Sequence, residues 1–139
     1  MNPILKFYIV AGLILVSCSD AADIRLKQYK VQGRALYLEH CSSCHQSDGQ
    51  GLGTLYPPVA QSDYLEADIA RAICITKKGL AEEIKVNGKS YNMPMPANQH
   101  LSSLEVAEIM TFIYNKWGTG NRIITRKEVE AAWENCDNY

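Results

Sequence analysis

The chain has no dominant charge, no long apolar run and no internal repeat. Its 14 Lys and Arg stand against 15 Asp and Glu, for a net charge of −1. That balance excludes a nucleic-acid binder built on a basic face. A helix crossing a bilayer needs about 20 apolar residues; the apolar run near the N-terminus, Phe7–Val16, has ten. No low-complexity stretch interrupts the sequence, and 47% of its residues are hydrophobic, a normal fraction for a folded chain that argues against disorder. At 139 residues there is room for one domain of the usual size of about 100–200 residues. What is plentiful is cysteine: five, at positions 18, 41, 44, 74 and 136.

The first of these belongs to an address. Lys6 precedes the short apolar run and Ser17 closes it, the layout of a secretory signal peptide over residues 1–17. An uncleaved anchor is the rival reading. Leu15-Val16-Ser17-Cys18 resembles a bacterial lipobox, which implies cleavage before Cys18 and a lipid on its thiol. The competing view is an incidental cysteine. With a lipid, residues 18–25 become a polar tether to the membrane, at the periplasmic face of a bacterial cell, and 26–139 form the domain. Ser19 points to an outer membrane and Asp20 weakens that inference, so inner and outer both stay open.

Four cysteines remain. Cys41-Ser42-Ser43-Cys44-His45 is C-x-x-C-H, the attachment motif of c-type haem. Two thiols three positions apart can form thioethers to the two vinyl groups, and the adjacent imidazole then falls under the iron. A zinc knuckle would need two more ligands, with only His40 and His100 spare. A thiol-redox CxxC would be expected at a helix start after a strand, not at the end of a helical pattern. Cys74 and Cys136 form an even pair in an oxidising compartment, so a disulfide is expected between them. It would close about 60 residues and contribute roughly 4 kcal/mol; two free buried thiols are the alternative.

Hydrophobic spacing reads as mostly helical. Leu26–His40 places Val31, Ala35 and Leu38 on one face, with Gly33 and Tyr37 on a second. Asp63–Lys78 forms a helix with Leu65, Ile69, Ala72 and Ile73 inward, closed by Lys77, Lys78 and Gly79. Asn87-Gly88 inside Glu83–Tyr91 predicts a small β-hairpin. Ser102-Ser103-Leu104-Glu105 and Thr125-Arg126-Lys127-Glu128 are two capping boxes. The first opens a helix with Val106, Ile109, Met110, Ile113 and Trp117 on one face; the second opens one carrying Val129, Ala132, Trp133 and Cys136.

From Tyr37 to Trp117 the sequence resembles a class I cytochrome c. The carrying residues are Tyr37, Cys41-x-x-Cys44-His45, Asp48-Gly49-Gln50-Gly51, Tyr56-Pro57-Pro58-Val59, Tyr91-Asn92-Met93-Pro94-Met95-Pro96-Ala97, and Leu101-Ser102 through Trp117-Gly118. It is most similar to the cytochrome c domains that accompany bacterial respiratory enzymes. The resemblance implies an all-α fold of 4–5 helices around one covalent haem c. It also implies a helix crossing at Gly33; the C-terminal helix that opens at Thr125 goes beyond the minimal family fold.

By the same resemblance Met95, in Met95-Pro96-Ala97, is the first choice of second axial ligand. Met93 and His100 are its competitors. Pro57 would present its carbonyl to the second nitrogen of His45, with Pro58 one residue off register. Tyr56, Val59, Leu80 and Tyr91 are candidate pocket walls, Tyr91 being placed among the haem-binding residues. Two strong protein ligands make haem an electron carrier rather than a catalyst, and no second CxxCH is present. The expected role is therefore one-electron transfer between redox protein partners: a respiratory complex, an oxidase or a reductase. The partners include no nucleic acid. A haem enzyme or gas sensor with an open sixth position is the alternative. Lys77, Lys78, Lys85 and Lys89 would form either a rim steering an acidic partner or ordinary solvated lysines.

Overall fold

The computed structural model of the chain describes the backbone of residues 3–139 and the side chains of residues 21–139 other than 138. The expectations for the leader over 1–17 and for lipidation at Cys18 lie outside the residues described in full. Among the described residues no helix is long and apolar enough to cross a membrane.

Among the described residues the fold has six α-helices and a two-stranded sheet: α1 (Pro3–His40), α2 (Ser42–His45), α3 (Asp63–Ala67), α4 (Ile69–Lys78), β1 (Ile84–Val86), β2 (Lys89–Tyr91), α5 (Ser103–Lys116) and α6 (Arg126–Glu134). A short 3₁₀ turn, Cys136–Asn138, follows α6. Residues 21–25 continue α1 as helix and are exposed. The class is the expected one. The helices number six because the haem-motif segment makes its own turn and because Asp63–Lys78 is divided. Asp68 interrupts it with extended backbone (φ −157°, ψ 101°), and its side chain caps α4 by accepting from the Arg71 N–H. An Asp at that point serves the second helix better than it continues the first, since its carboxylate satisfies an otherwise orphaned donor.

The core forms where α1 crosses α5, with α6 lying against both α5 and α4. Val106, Ile109, Met110 and Ile113 of α5 are buried as expected, and so are Ala107, Thr111, Phe112 and Tyr114. The helix is covered on more than one side because α1 and α6 take different faces of it. On α1 the inner face is Gly33, Leu36 and Tyr37. The expected stripe of Val31, Ala35 and Leu38 holds only at Leu38, which packs partly buried against the core; Val31 is 71% exposed, and Ala35 is exposed as well.

Gly33 explains the choice of face. A Cβ there would stand 2.0 Å from the Glu108 carbonyl oxygen, so only glycine lets the two backbones approach this closely. Tyr37, fully buried, packs with Phe112 and Trp117 at ring-centre distances of 5.6 and 5.2 Å.

Both capping boxes form, Ser102 with Glu105 and Thr125 with Glu128. The hairpin pairs Ile84 with Tyr91 and Val86 with Lys89. Its turn residues Asn87 and Gly88 have φ of 50° and 78°, as a two-residue turn of this kind requires. Cys74 in α4 and Cys136 beyond α6 stand at disulfide distance, with Cα atoms 5.4 Å apart. Both are buried, and they fasten the C-terminal helix to α4.

Candidate functional site

The CxxCH segment turns directly off the end of α1. The His45 N–H donates to the Cys41 carbonyl at 3.0 Å, and the Cys41 N–H donates to Tyr37 at 2.9 Å. This compact turn puts Cys41, Cys44 and His45 on the wall of one cleft. Tyr37 braces it from below, its hydroxyl donating to the Gln46 carbonyl at 2.7 Å. Burial, with smaller contributions from the Cys41 and Asp48 charges, raises the Tyr37 pKa, so the phenol stays protonated.

His45 has a fixed tautomer. Its Nδ1 lies 2.9 Å from the Pro57 carbonyl oxygen. A carbonyl only accepts, so Nδ1 carries the hydrogen and Nε2 is left with a free lone pair. Burial lowers the pKa of the ring, with the Pro57 bond opposing it. The imidazole is therefore held neutral, as metal ligation requires. Pro57, rather than Pro58, makes this bond.

The other expected residues gather in the same cleft: Tyr56, Val59, Leu80, Tyr91, Met93 and Met95 all line it. Met95 is pinned by its backbone, its N–H donating to Leu80 at 2.8 Å and its carbonyl accepting from Leu80 at 2.9 Å. Gly79 makes room for this pairing. Its φ is +78°, and a Cβ would meet the Met95 carbonyl oxygen at 2.6 Å. The Asn98 N–H donates to the Thr76 carbonyl at 3.0 Å, which fastens the other end of the methionine loop to α4. Met93 has no such backbone bridge and is 44% exposed. His100 is not among the lining residues; its ring lies against His40.

Some lining residues carried no functional signal in the sequence. Ile109, Met110 and Ile113 reach the cleft from α5, and Ala72, Ile75 and Thr76 from α4. Their helical spacing identifies a buried face without saying whether that face meets protein or a cofactor. Of the four lysines proposed as a rim, two are engaged elsewhere. Lys77 lies over the Trp133 ring, 3.9 Å from its centre, and Lys78 pairs with Asp137. Only Lys85 and Lys89, on the hairpin, are left as exposed bases without an ion pair.

The donor set fits a covalently held macrocycle. Two unpaired thiols, Cys41 and Cys44, stand in a mostly apolar cleft beside a neutral imidazole. The competing chemistries fit less well. Among the described residues no group of three or more His, Cys, Asp and Glu is placed to hold a metal ion, so a zinc knuckle lacks its further ligands. Burial, aided by the charge of Cys44, pushes the Cys41 thiol up to about 11. Disulfide exchange needs the opposite, a thiol made acidic by its surroundings.

Comparison with known proteins agrees. The Cytochrome c family model matches residues 31–117, more than half of the chain. The chain is 30% identical over 98 residues to cytochrome c-552 of Thermus thermophilus, covering 68% of this chain and 74% of that protein. It is 32% identical over 101 residues to the gluconate 2-dehydrogenase cytochrome c subunit of Pantoea cypripedii. It is 28% identical over 88 residues to the cytochrome c subunit of a quinone alcohol dehydrogenase of Gluconobacter oxydans. Those two subunits are much longer, and the matched segments span only 23% and 18% of them.

Proposed function

Because the chain belongs to the cytochrome c family, and so carries covalent haem c and transfers electrons without being a catalyst itself, we propose that it is a membrane-anchored monohaem carrier with His45 and Met95 as axial ligands. Bound through Cys41 and Cys44, the haem supplies a one-electron iron couple.

Each residue then has a defined task. Cys41 and Cys44 fix the macrocycle. His45 offers Nε2 while its Nδ1–H is held by Pro57, which sets the ring's orientation and raises its basicity. Met95 offers a thioether, a ligand that favours the reduced metal more than imidazole does. The observation that carries this choice is the paired Leu80–Met95 backbone bridge. It holds Met95 at the cleft, whereas Met93 sits at the exposed rim. A side chain whose backbone is held in this way would keep its position on binding a metal.

The test is an absorption spectrum of the oxidised protein. A weak far-red sulfur-to-iron band is expected in the wild type and in Met93→Ala, and is expected to disappear in Met95→Ala. A band that survives Met95→Ala would exclude Met95 as the ligand. A wild type lacking the band would favour the open-site alternative, a gas sensor or haem enzyme.

The partners are redox proteins of a respiratory chain. The relatives named as dehydrogenase cytochrome subunits support a place beside a dehydrogenase, as a carrier or as a subunit. Anchoring follows from the lipobox-like Leu15–Cys18, with the domain held at the periplasmic face of the membrane by its lipid.

A further inference from the structure

At the rim of the cleft, the end of α1 and the turn before α5 bring two histidines together. The rings of His40 and His100 have centres 5.1 Å apart and planes tilted by 60°. We propose that this pair binds one exchangeable late first-row divalent cation, Zn²⁺ or Cu²⁺, with the two imidazoles as its protein ligands and water completing the shell.

The spacing is the first support. An ion bound at about 2.0–2.1 Å from an imidazole nitrogen lies roughly 3.2 Å from that ring's centre. Two such rings at a tetrahedral angle have centres about 5 Å apart, which is the separation found here.

Charge is the second support. Glu39 Oε1 lies 3.8 Å from His40 Nε2. The carboxyl of Glu105 is held below its ordinary range, first by hydrogen bonds from the Ser102 backbone and hydroxyl and then by the charges of His40 and His100. One carboxylate thus stands beside His40, and the Glu105 carboxylate, engaged by Ser102, is near enough to feel both imidazoles, so the surroundings favour a cation.

Access is the third. His100 is exposed and the His40 side chain is 20% exposed, so an ion can enter and His100 can turn without disturbing the core. Imidazole donors select copper, zinc and nickel over magnesium and calcium, which prefer oxygen. No third ligand joins the pair among the described residues, so the site is open and the ion exchanges. Neither histidine belongs to the ligand set proposed for the haem, so this site stands or falls separately from that reading.

The experiment uses the haem-loaded protein, stripped of metal with a chelator and titrated with Zn²⁺ against a chromophoric competitor. Uptake of one equivalent is expected. His40→Gln and His100→Gln should each weaken it by about tenfold or more, the least that disturbing a metal's ligand shell ordinarily costs. With Cu²⁺, the paramagnetic resonance spectrum should show two coordinated nitrogens in the wild type and one in either variant. An unchanged visible spectrum verifies that each variant keeps its haem site. No saturable uptake by the wild type, or uptake unaltered in His100→Gln, would overturn the proposal.

Discussion

A single methyl group on Gly33 is enough to set two effects against each other. In a helix interior, glycine costs about 1 kcal/mol relative to alanine, so Gly33→Ala should stabilise an isolated α1. In the folded protein the new Cβ would lie 2.0 Å from the Glu108 oxygen and 2.9 Å from the Phe112 Cβ. Backbone cannot yield as a flexible side chain does, and overpacking of this kind costs about 1–3 kcal/mol. The steric term wins. Gly33→Ala should therefore lower the thermal midpoint, whereas Ala35→Gly, on the exposed face of the same helix, should lower it only by the intrinsic helix term. An unchanged midpoint in Gly33→Ala would mean that α1 and α5 do not cross at this contact. Residue by residue, the cofactor-attaching positions are the most legible part of the chain, because attachment chemistry demands particular atoms at a particular spacing. His45, Cys41 and Cys44 need no fold to be recognised. The wall of the cleft is another matter, since Ile109 or Thr76 looks like any other buried residue.

At the scale of elements, ends were more readable than middles. Ser102 with Glu105 and Thr125 with Glu128 are local devices, each closing within one helical turn, and Asn87-Gly88 makes its turn from its own two residues. The division at Asp68 is equally local, its side chain accepting from the Arg71 N–H three residues on, but the helical periodicity on both sides masked this N-cap signal. On α1 the spacing offered two faces, and the crossing with α5 takes the one bearing Gly33 and Tyr37, as the family resemblance implies. Val31, Ala35 and Leu38 make an acceptable stripe, yet the crossing helix selects the side with the smallest residue. The link between α4 and α6 carries the element-scale prediction. Replacing both cysteines, Cys74→Ala with Cys136→Ala, removes a closure of 62 residues and should cost about 4 kcal/mol in the chain-entropy description. Denaturant titration should record that loss, with the haem still covalently retained because neither residue attaches it. Equal stability of the double variant and the wild type would mean the pair is not bonded in the protein.

For the whole molecule the question is where it resides. If Cys18 bears the lipid, Cys18→Ser should move the protein from the membrane fraction to the soluble periplasmic fraction, with its absorption spectrum unchanged. A variant that remains in the membranes would point instead to the uncleaved anchor. The near balance of acidic and basic groups and the engagement of Lys77 with Trp133 and of Lys78 with Asp137 argue against a broad basic docking face. Of the four lysines expected as a rim, Lys85 and Lys89 on the hairpin remain for recognition of a partner by charge.

Sequence alone was sufficient for whatever is settled by covalent chemistry or by contacts within a few residues: a haem-attachment motif, two capped helices, a tight hairpin, an all-helical class. Folding in three dimensions was needed for everything that depends on which distant segments meet. It gave the Pro57 carbonyl, already singled out by the family resemblance, its place on His45, gave Met95 rather than Met93 a backbone partner in Leu80, and stood His40 beside His100. The reason is that local rules act along the chain, whereas a hydrogen bond or a ring contact across dozens of residues forms only after burial has chosen how the helices pack.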